Sequence, residues 1–129
     1  RIYPMFFVDS AIHIKGGRLT VAELGGHVVG FVLWSPAIEP AYFDPGVERW
    51  AELDELQVHP RFQGRGIGTR LARAAVRQAR DAGYEAMYLE TERSNSVAQR
   101  VYEKAGFRRH SGLLRYKATL SSRRRIPEP

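Results

Sequence analysis

The stretch Val58-His59-Pro60-Arg61-Phe62-Gln63-Gly64-Arg65-Gly66-Ile67-Gly68-Thr69-Arg70 lies between a β-rich run and a helical one. Glycine costs backbone entropy and arginines repel one another, so a plain connection gains little from either. A helix N-terminus, however, leaves about four amide N–H groups unpaired and carries roughly half a positive charge. Glycines just before it let those amides close around an anion such as a phosphate. The stretch therefore predicts a strand, a tight turn that receives an anion, and a helix. Its spacing is G-x-G-x-G, not the G-x-G-x-x-G of dinucleotide sites, and no Lys-Ser or Lys-Thr follows as a P-loop requires.

The flanking segments extend this pattern. Ile67 to Ala82 reads as a helix with an apolar stripe at Leu71, Ala74, Ala75 and Ala79, a solvated face at Arg73, Arg77 and Arg80, and Gly83 to close it. Tyr84 to Glu90 follows as a strand. Ala51 to Val58 precedes as a strand in which Leu53-Asp54-Glu55-Leu56 breaks alternation, the mark of a bulge or of a change of face at the sheet edge. Strand, turn, helix and strand make a right-handed crossover, so the strands ending at Val58 and Glu90 are expected to be parallel neighbours. Further out, Leu19 to Leu24 and Val28 to Trp34 flank Gly25-Gly26 as a hairpin. Residues 35–50 carry Pro36, Pro40, Pro45 and Gly46 and read as a loop. Ser94-Asn95-Ser96 offers capping side chains to a helix from Val97 to Ala105 closed by Gly106, and Leu113 to Leu120 is a last strand. Residues 2–14 are apolar and aromatic but interrupted by Pro4, and no element is assigned to them.

With 129 residues, 43% of them hydrophobic and 26% charged, residues 1–122 are expected to form one globular domain and residues 123–129 a basic tail. The chain has no cysteine, which excludes a disulfide framework or thiolate metal site, and no signal or long apolar run, so a cytoplasmic location without membrane association is expected. The net charge of +6 raises the question of nucleic acid, but Arg1, Arg123, Arg124 and Arg125 set against Glu128 account for half of it, which disfavours that partner. His13, His27 and His110 lack ligand spacing, and no metal is expected. Arg1 is not an initiator methionine, so the chain is expected to begin inside a longer or processed product.

A second motif stands at the right distance from the first. Gln63-x-x-Gly66-x-Gly68 and a helix, then after a strand Asn95-x-x-Ala98-x-x-x-Tyr102-x-x-x-Gly106-Phe107, resembles the GNAT family of N-acetyltransferases over roughly residues 19–120. The resemblance implies an α/β (α+β) fold of the acyl-CoA N-acyltransferase type, a mixed, splayed central β-sheet flanked by helices. Acetyl-CoA would bind between the parallel strands as co-substrate and pass its acetyl group directly to an amine of a small molecule or protein. Members begin with a strand and one or two helices, for which residues 1–18 leave little room, so a shortened N-terminal part is expected.

The resemblance also implies roles. Gln63, Gly64, Arg65, Gly66, Gly68 and Thr69 would hold the pyrophosphate, mostly through backbone N–H groups, with Arg61 and Arg70 near the phosphates. The main chain of Leu56, Gln57 and Val58 would pair with the pantetheine arm. Asn95 would bond that arm or order the turn as a helix cap. Tyr102 stands where the family places a tyrosine that serves the departing thiolate; its other reading is a core residue. Glu90 resembles in position the carboxylate base of the ribosomal-protein N-terminal acetyltransferases, with Asp54 or Glu55 as competitor. Tyr42, Phe43 and Trp50 either wall the acceptor site or cover the sheet edge. Acidic residues in and beside the cleft (Glu39, Asp44, Glu48, Asp54, Glu55) favour a cationic or neutral acceptor. An acyl-CoA-binding module with little chemistry is the alternative. The acceptor is left open, and a homodimer is compatible with the reading.

Overall fold

Gly25 and Gly26, at φ of 58° and 83°, supply the left-handed conformations that a two-residue hairpin turn needs. They join β2 (Arg18–Leu24) to β3 (His27–Pro36), which pair antiparallel as the sequence predicts. The computed structural model describes residues 5–11, 18–37, 46–91, 94–110 and 115–120. The proposed tail at 123–129, the histidine at 13, and Glu39, Tyr42, Phe43 and Asp44 lie outside these.

Met5–Ala11 forms β1, a strand for which the sequence pattern gives no assignment, paired antiparallel with β2. The crossover runs from β4 (Trp50–Val58) through α1 (Ile67–Asp81) to β5 (Ala86–Glu90). After it come α2 (Ser96–Lys104), a three-residue β6 (Arg108–His110) and β7 (Arg115–Thr119). Among the described residues the sheet has seven strands in the order β1-β2-β3-β4-β5-β7-β6. It is mixed, because β4 and β5 are parallel and every other pairing is antiparallel.

The break in alternation on β4 is a bulge. Glu55 pairs with Leu33 and Leu53 with Trp34, so Asp54 is the extra residue. A bulge bends its strand. Around it the parallel pairing ends: only Trp50↔Ala86, Ala51↔Met87 and Glu52↔Tyr88 are in register, and the remainder of β4 runs on unpaired on that side. This opening is the splay expected of the sheet.

The stripe of α1 packs on the sheet as its spacing predicts, with Leu71, Ala74, Ala75 and Ala79 buried. At its end Gly83, at φ 93°, donates its N–H to Arg80 O at 2.9 Å, and Tyr84 donates to Ala79 O at 3.0 Å, the paired bonds of a Schellman cap. Arg73 belongs to the face assigned to solvent, yet its guanidinium donates to Lys104 O at 3.0 Å and ties the end of α2 to α1. Trp50, a candidate acceptor wall, is instead buried at the foot of β4, edge-on to Tyr88 with the ring centroids 6.0 Å apart. Its position in the register opposite Ala86, at the closed end of the parallel pair, directs it into the sheet's own packing.

One buried polar element has no counterpart in the apolar pattern. Gln78 on α1 accepts from Trp34 Nε1 at 2.9 Å and donates to Thr20 Oγ1 at 2.7 Å, and all three are buried. Replacing Gln78 by leucine keeps the volume but strands the indole N–H of Trp34, so a loss of about 2 kcal/mol is expected in urea unfolding. The double variant Trp34→Phe with Gln78→Leu should lose less than the two single losses added, which a double-mutant cycle reads directly.

Candidate functional site

A cavity of about 940 Å³ opens where β4 and β5 part, walled by the end of β4, the start of α1 and the side of α2. Beyond β4, His59 Nδ1 accepts the N–H of Arg61 at 3.1 Å and so caps a short turn over Pro60–Phe62. Pro60 opens that turn with a fixed φ. The chain then passes Gly64 and Gly66 at φ of 78° and 83°, a region that a side chain enters at a cost of roughly 1–2 kcal/mol.

Gly66 is the N-cap of α1, and it supplies no side-chain cap. The first intrahelical bond is donated by Arg70 to Gly66 O at 3.1 Å, so the amides of Ile67, Gly68 and Thr69 precede the helical ladder. No acidic residue lies in this first turn. Gly64, Gly66, Gly68 and Thr69 line the cavity, whose wall here offers N–H groups and the positive end of a helix. A Cβ at Gly68 would make ordinary van der Waals contact, 3.5 Å from Val101 and 3.7 Å from Leu56.

Along β4 the main chain alternates. His59 donates to Val29 O at 2.7 Å, towards β3, so the peptide groups of Gln57 also face β3 and those of Leu56 and Val58 face the opening. The sequence reading gave Leu56, Gln57 and Val58 the same part; the geometry keeps two main chains on the open edge and turns that of Gln57 inward, although the residue still lines the cavity. Gln63 bends back over this edge, with Nε2 donating to Val58 O at 3.0 Å.

Glu90, Asp54 and Glu55 all line the cavity. The last parallel pair is Glu52↔Tyr88, two residues before Asp54 on β4 and two before Glu90 on β5. Asp54 Oδ2 accepts from the hydroxyl of Ser35 at 2.6 Å. From Asp54 to Val58 is about 13 Å of strand, which separates the carboxylates from the glycine turn. Asn95 caps α2, its Oδ1 accepting the N–H of Ala98 at 3.1 Å, and lines the cavity as well. Arg65 stays out of the wall: its guanidinium lies 5.0 Å over the ring of Phe62. Arg61 and Arg70 are exposed outside the lining, whereas Arg100 and Lys104 of α2 are in it, with no motif to single them out in the sequence.

Tyr102 projects from α2 into the same cavity at 8% exposure, packed edge-on to Phe107 with centroids 5.9 Å apart. Its hydroxyl has no hydrogen-bond partner among the described residues. Burial disfavours the phenolate and pushes its pKa above the ordinary value. The group is therefore a neutral donor aimed at whatever fills the space. No group of three or more metal-ligating side chains occurs among the described residues, and no helix there is long and apolar enough to cross a membrane.

Two parted parallel strands that lead into an uncapped helix define an α/β protein able to take an extended ligand with an anionic end. The chain belongs to the acetyltransferase (GNAT) family, whose model matches residues 2–107. It is 32% identical over 107 residues to N-acetyltransferase 8B of Mus musculus, covering 83% of this chain and 44% of that protein. It is 30% identical to the N-alpha-acetyltransferase of Sulfurisphaera tokodaii, covering 90% of this chain and 71% of that one. The chain thus spans less than half the length of the mouse relative. In three dimensions it resembles a GNAT family acetyltransferase from Elizabethkingia anophelis solved with acetyl-CoA bound, with a TM-score of 0.68 at 16% identity, over 90% of this chain and 98% of that one. That likeness establishes the fold.

Proposed function

We propose that the protein is an N-acetyltransferase that uses acetyl-CoA as co-substrate and passes the acetyl group directly to an amine. The carrying observation is the continuity of the split between β4 and β5 with the uncapped start of α1, because one ligand can lie along the strand and end in phosphates at the turn. The N–H groups of the Gly64–Thr69 turn hold the pyrophosphate. The pantetheine arm adds to the open edge of β4 through Leu56 and Val58, with the Gln63 amide yielding or sharing the carbonyl of Val58. Arg100 and Lys104 add positive charge to the wall.

The thioester then lies where the strands part. The amine nitrogen attacks the carbonyl carbon, the C–N bond forms and the C–S bond breaks. One proton leaves the nitrogen for a carboxylate, and Glu90 has this part because it stands across the split from β4 at the end of its own strand. The sulfur departs as a thiolate that accepts a hydrogen bond from Tyr102. The proposal includes a cytoplasmic place of action.

The test is release of free CoA thiol from acetyl-CoA in the presence of a polyamine, an aminoglycoside, a peptide with a neutral N-terminus and an acidic amino acid. Turnover is expected with at least one cationic or neutral amine, with the acidic amino acid the poorest. Acetyl-CoA affinity without thiol release for any amine would identify a binding module instead.

A further inference from the structure

Among the described residues, the cationic side chains that line the cavity are Arg100 and Lys104. The arginines of the glycine motif do not supply that charge, because Arg65 lies over Phe62 and Arg61 and Arg70 stand outside the lining. Arg100 and Lys104 are both exposed on α2, and their spacing of four residues puts them on one face of the helix. Neither side chain has an ion pair or hydrogen bond among the described residues.

Two contacts set this part of α2 beside the start of α1. Val101, next to Arg100 in the chain, stands 3.5 Å from where a Cβ of Gly68 would lie in the first turn of α1. Further on, the carbonyl of Lys104 accepts from the Arg73 guanidinium of α1 at 3.0 Å. The two cations therefore flank the turn whose N–H groups meet the pyrophosphate. Those backbone groups already serve that part of the ligand, which leaves the side chains for another anion. Coenzyme A carries one, a phosphate monoester on the 3′ position of its ribose, one sugar away from the pyrophosphate and close to a dianion at neutral pH. We infer that Arg100 and Lys104 form a subsite for this 3′-phosphate and so select the donor as a complete CoA thioester. This rests on the acetyl-CoA reading of the cavity.

The experiment is calorimetric titration with CoA and with 3′-dephospho-CoA, which differ in that phosphate alone and need no turnover. At low salt the wild-type protein is expected to bind CoA about tenfold tighter, as for charge-assisted contacts weakened by exposure to water. The preference should shrink as salt is raised. Combining Arg100→Gln with Lys104→Gln should remove most of it by weakening CoA, while dephospho-CoA affinity stays within about threefold of wild type. Arg77→Gln, on the exposed face of α1 outside the cavity, removes the same charge and should keep the preference. Equal affinity of wild type for the two ligands, or survival of the preference in the double variant, would overturn the inference. So would equal weakening of both ligands by the double variant, which would put the cations on the pyrophosphate. Thiol release from acetyl-CoA without a preference for CoA would remove the subsite and leave the acetyltransferase standing. The preference without thiol release for any amine would keep the subsite in a binding module. No CoA binding by wild type at millimolar concentration overturns both.

Discussion

Gly66→Val is expected to abolish the rise in Tm that acetyl-CoA gives the wild-type protein, while leaving the ligand-free variant folded. A ligand that binds only the native state stabilises it by about 2.7 kcal/mol at a hundredfold excess over Kd, a shift of several degrees for a chain of this size. Gly66 stands at φ 83°, and a Cβ built there meets nothing within 4 Å. The variant therefore carries backbone strain of roughly 1–2 kcal/mol and no clash with its own fold. Its branched side chain, however, occupies the space before the first amides of α1. Gly26 provides the control: it has the same φ of 83° and equally open surroundings, but sits in the β2–β3 hairpin. Gly26→Val should lose comparable stability and keep the acetyl-CoA shift. A wild-type Tm unmoved by millimolar acetyl-CoA would count against the family's cofactor being used here, and a full shift in Gly66→Val would move the phosphates away from this turn.

The difference between these two glycines also shows what a sequence makes legible. Both the hairpin and the crossover are short-range events, written in adjacent residues: Gly25-Gly26 between β-rich runs, and the G-x-G-x-G turn before an amphipathic helix. The bulge is legible too, because two acidic residues between Leu53 and Leu56 break a period of two. β6 is not, since Arg108-Arg109-His110 has no apolar alternation and exists only by pairing with β7, which inserts between it and β5. Nor does β1 announce itself, because its strand character comes from pairing with β2. Gln78 could have been found: it follows Leu71 by seven residues and Ala74 by four, so it lies on the buried stripe, where a polar residue needs a partner.

The site divides in the same way. Gln63, Gly64, Gly66, Gly68, Thr69, Asn95 and Tyr102 come together in one cavity because their two motifs flank a single strand of the crossover. Ser35 is invisible in sequence, because its contact with Asp54 depends on how the bulge offsets β4 against β3. The Arg65 side chain lies off the cavity wall for a local reason. Phe62, three residues earlier, offers a ring face to its guanidinium, and the charge lies there and not on the cavity wall.

Tyr102→Phe is expected to lower kcat by about a hundredfold, with the KM for acetyl-CoA little changed and no loss of stability. The size of the effect depends on the state of the hydroxyl. A buried tyrosine serving only the core would have its O–H paired, and removing the oxygen would cost roughly 1–2 kcal/mol. Here the O–H has no partner among the described residues, so phenylalanine removes an unsatisfied polar atom and keeps the edge-on contact with Phe107. The Tm of the variant should stay level or rise. Outright proton donation is uphill: a phenol near 10 against a thiol near 8.5 costs about 2 kcal/mol in water, and burial raises the Tyr102 pKa further. A hydrogen bond to the developing thiolate avoids that cost. Burial fixes the pH behaviour as well. The group stays protonated in the fold, so the ratio of wild-type to variant kcat should be flat from about pH 6 to 9. Stability that depends on a neutral Tyr102 is fully present below the unfolded-state value of about 10 and declines only above it, a decline that the phenylalanine variant lacks. An unchanged kcat together with a lowered Tm would return Tyr102 to the core and leave the leaving group to be stabilised by another donor.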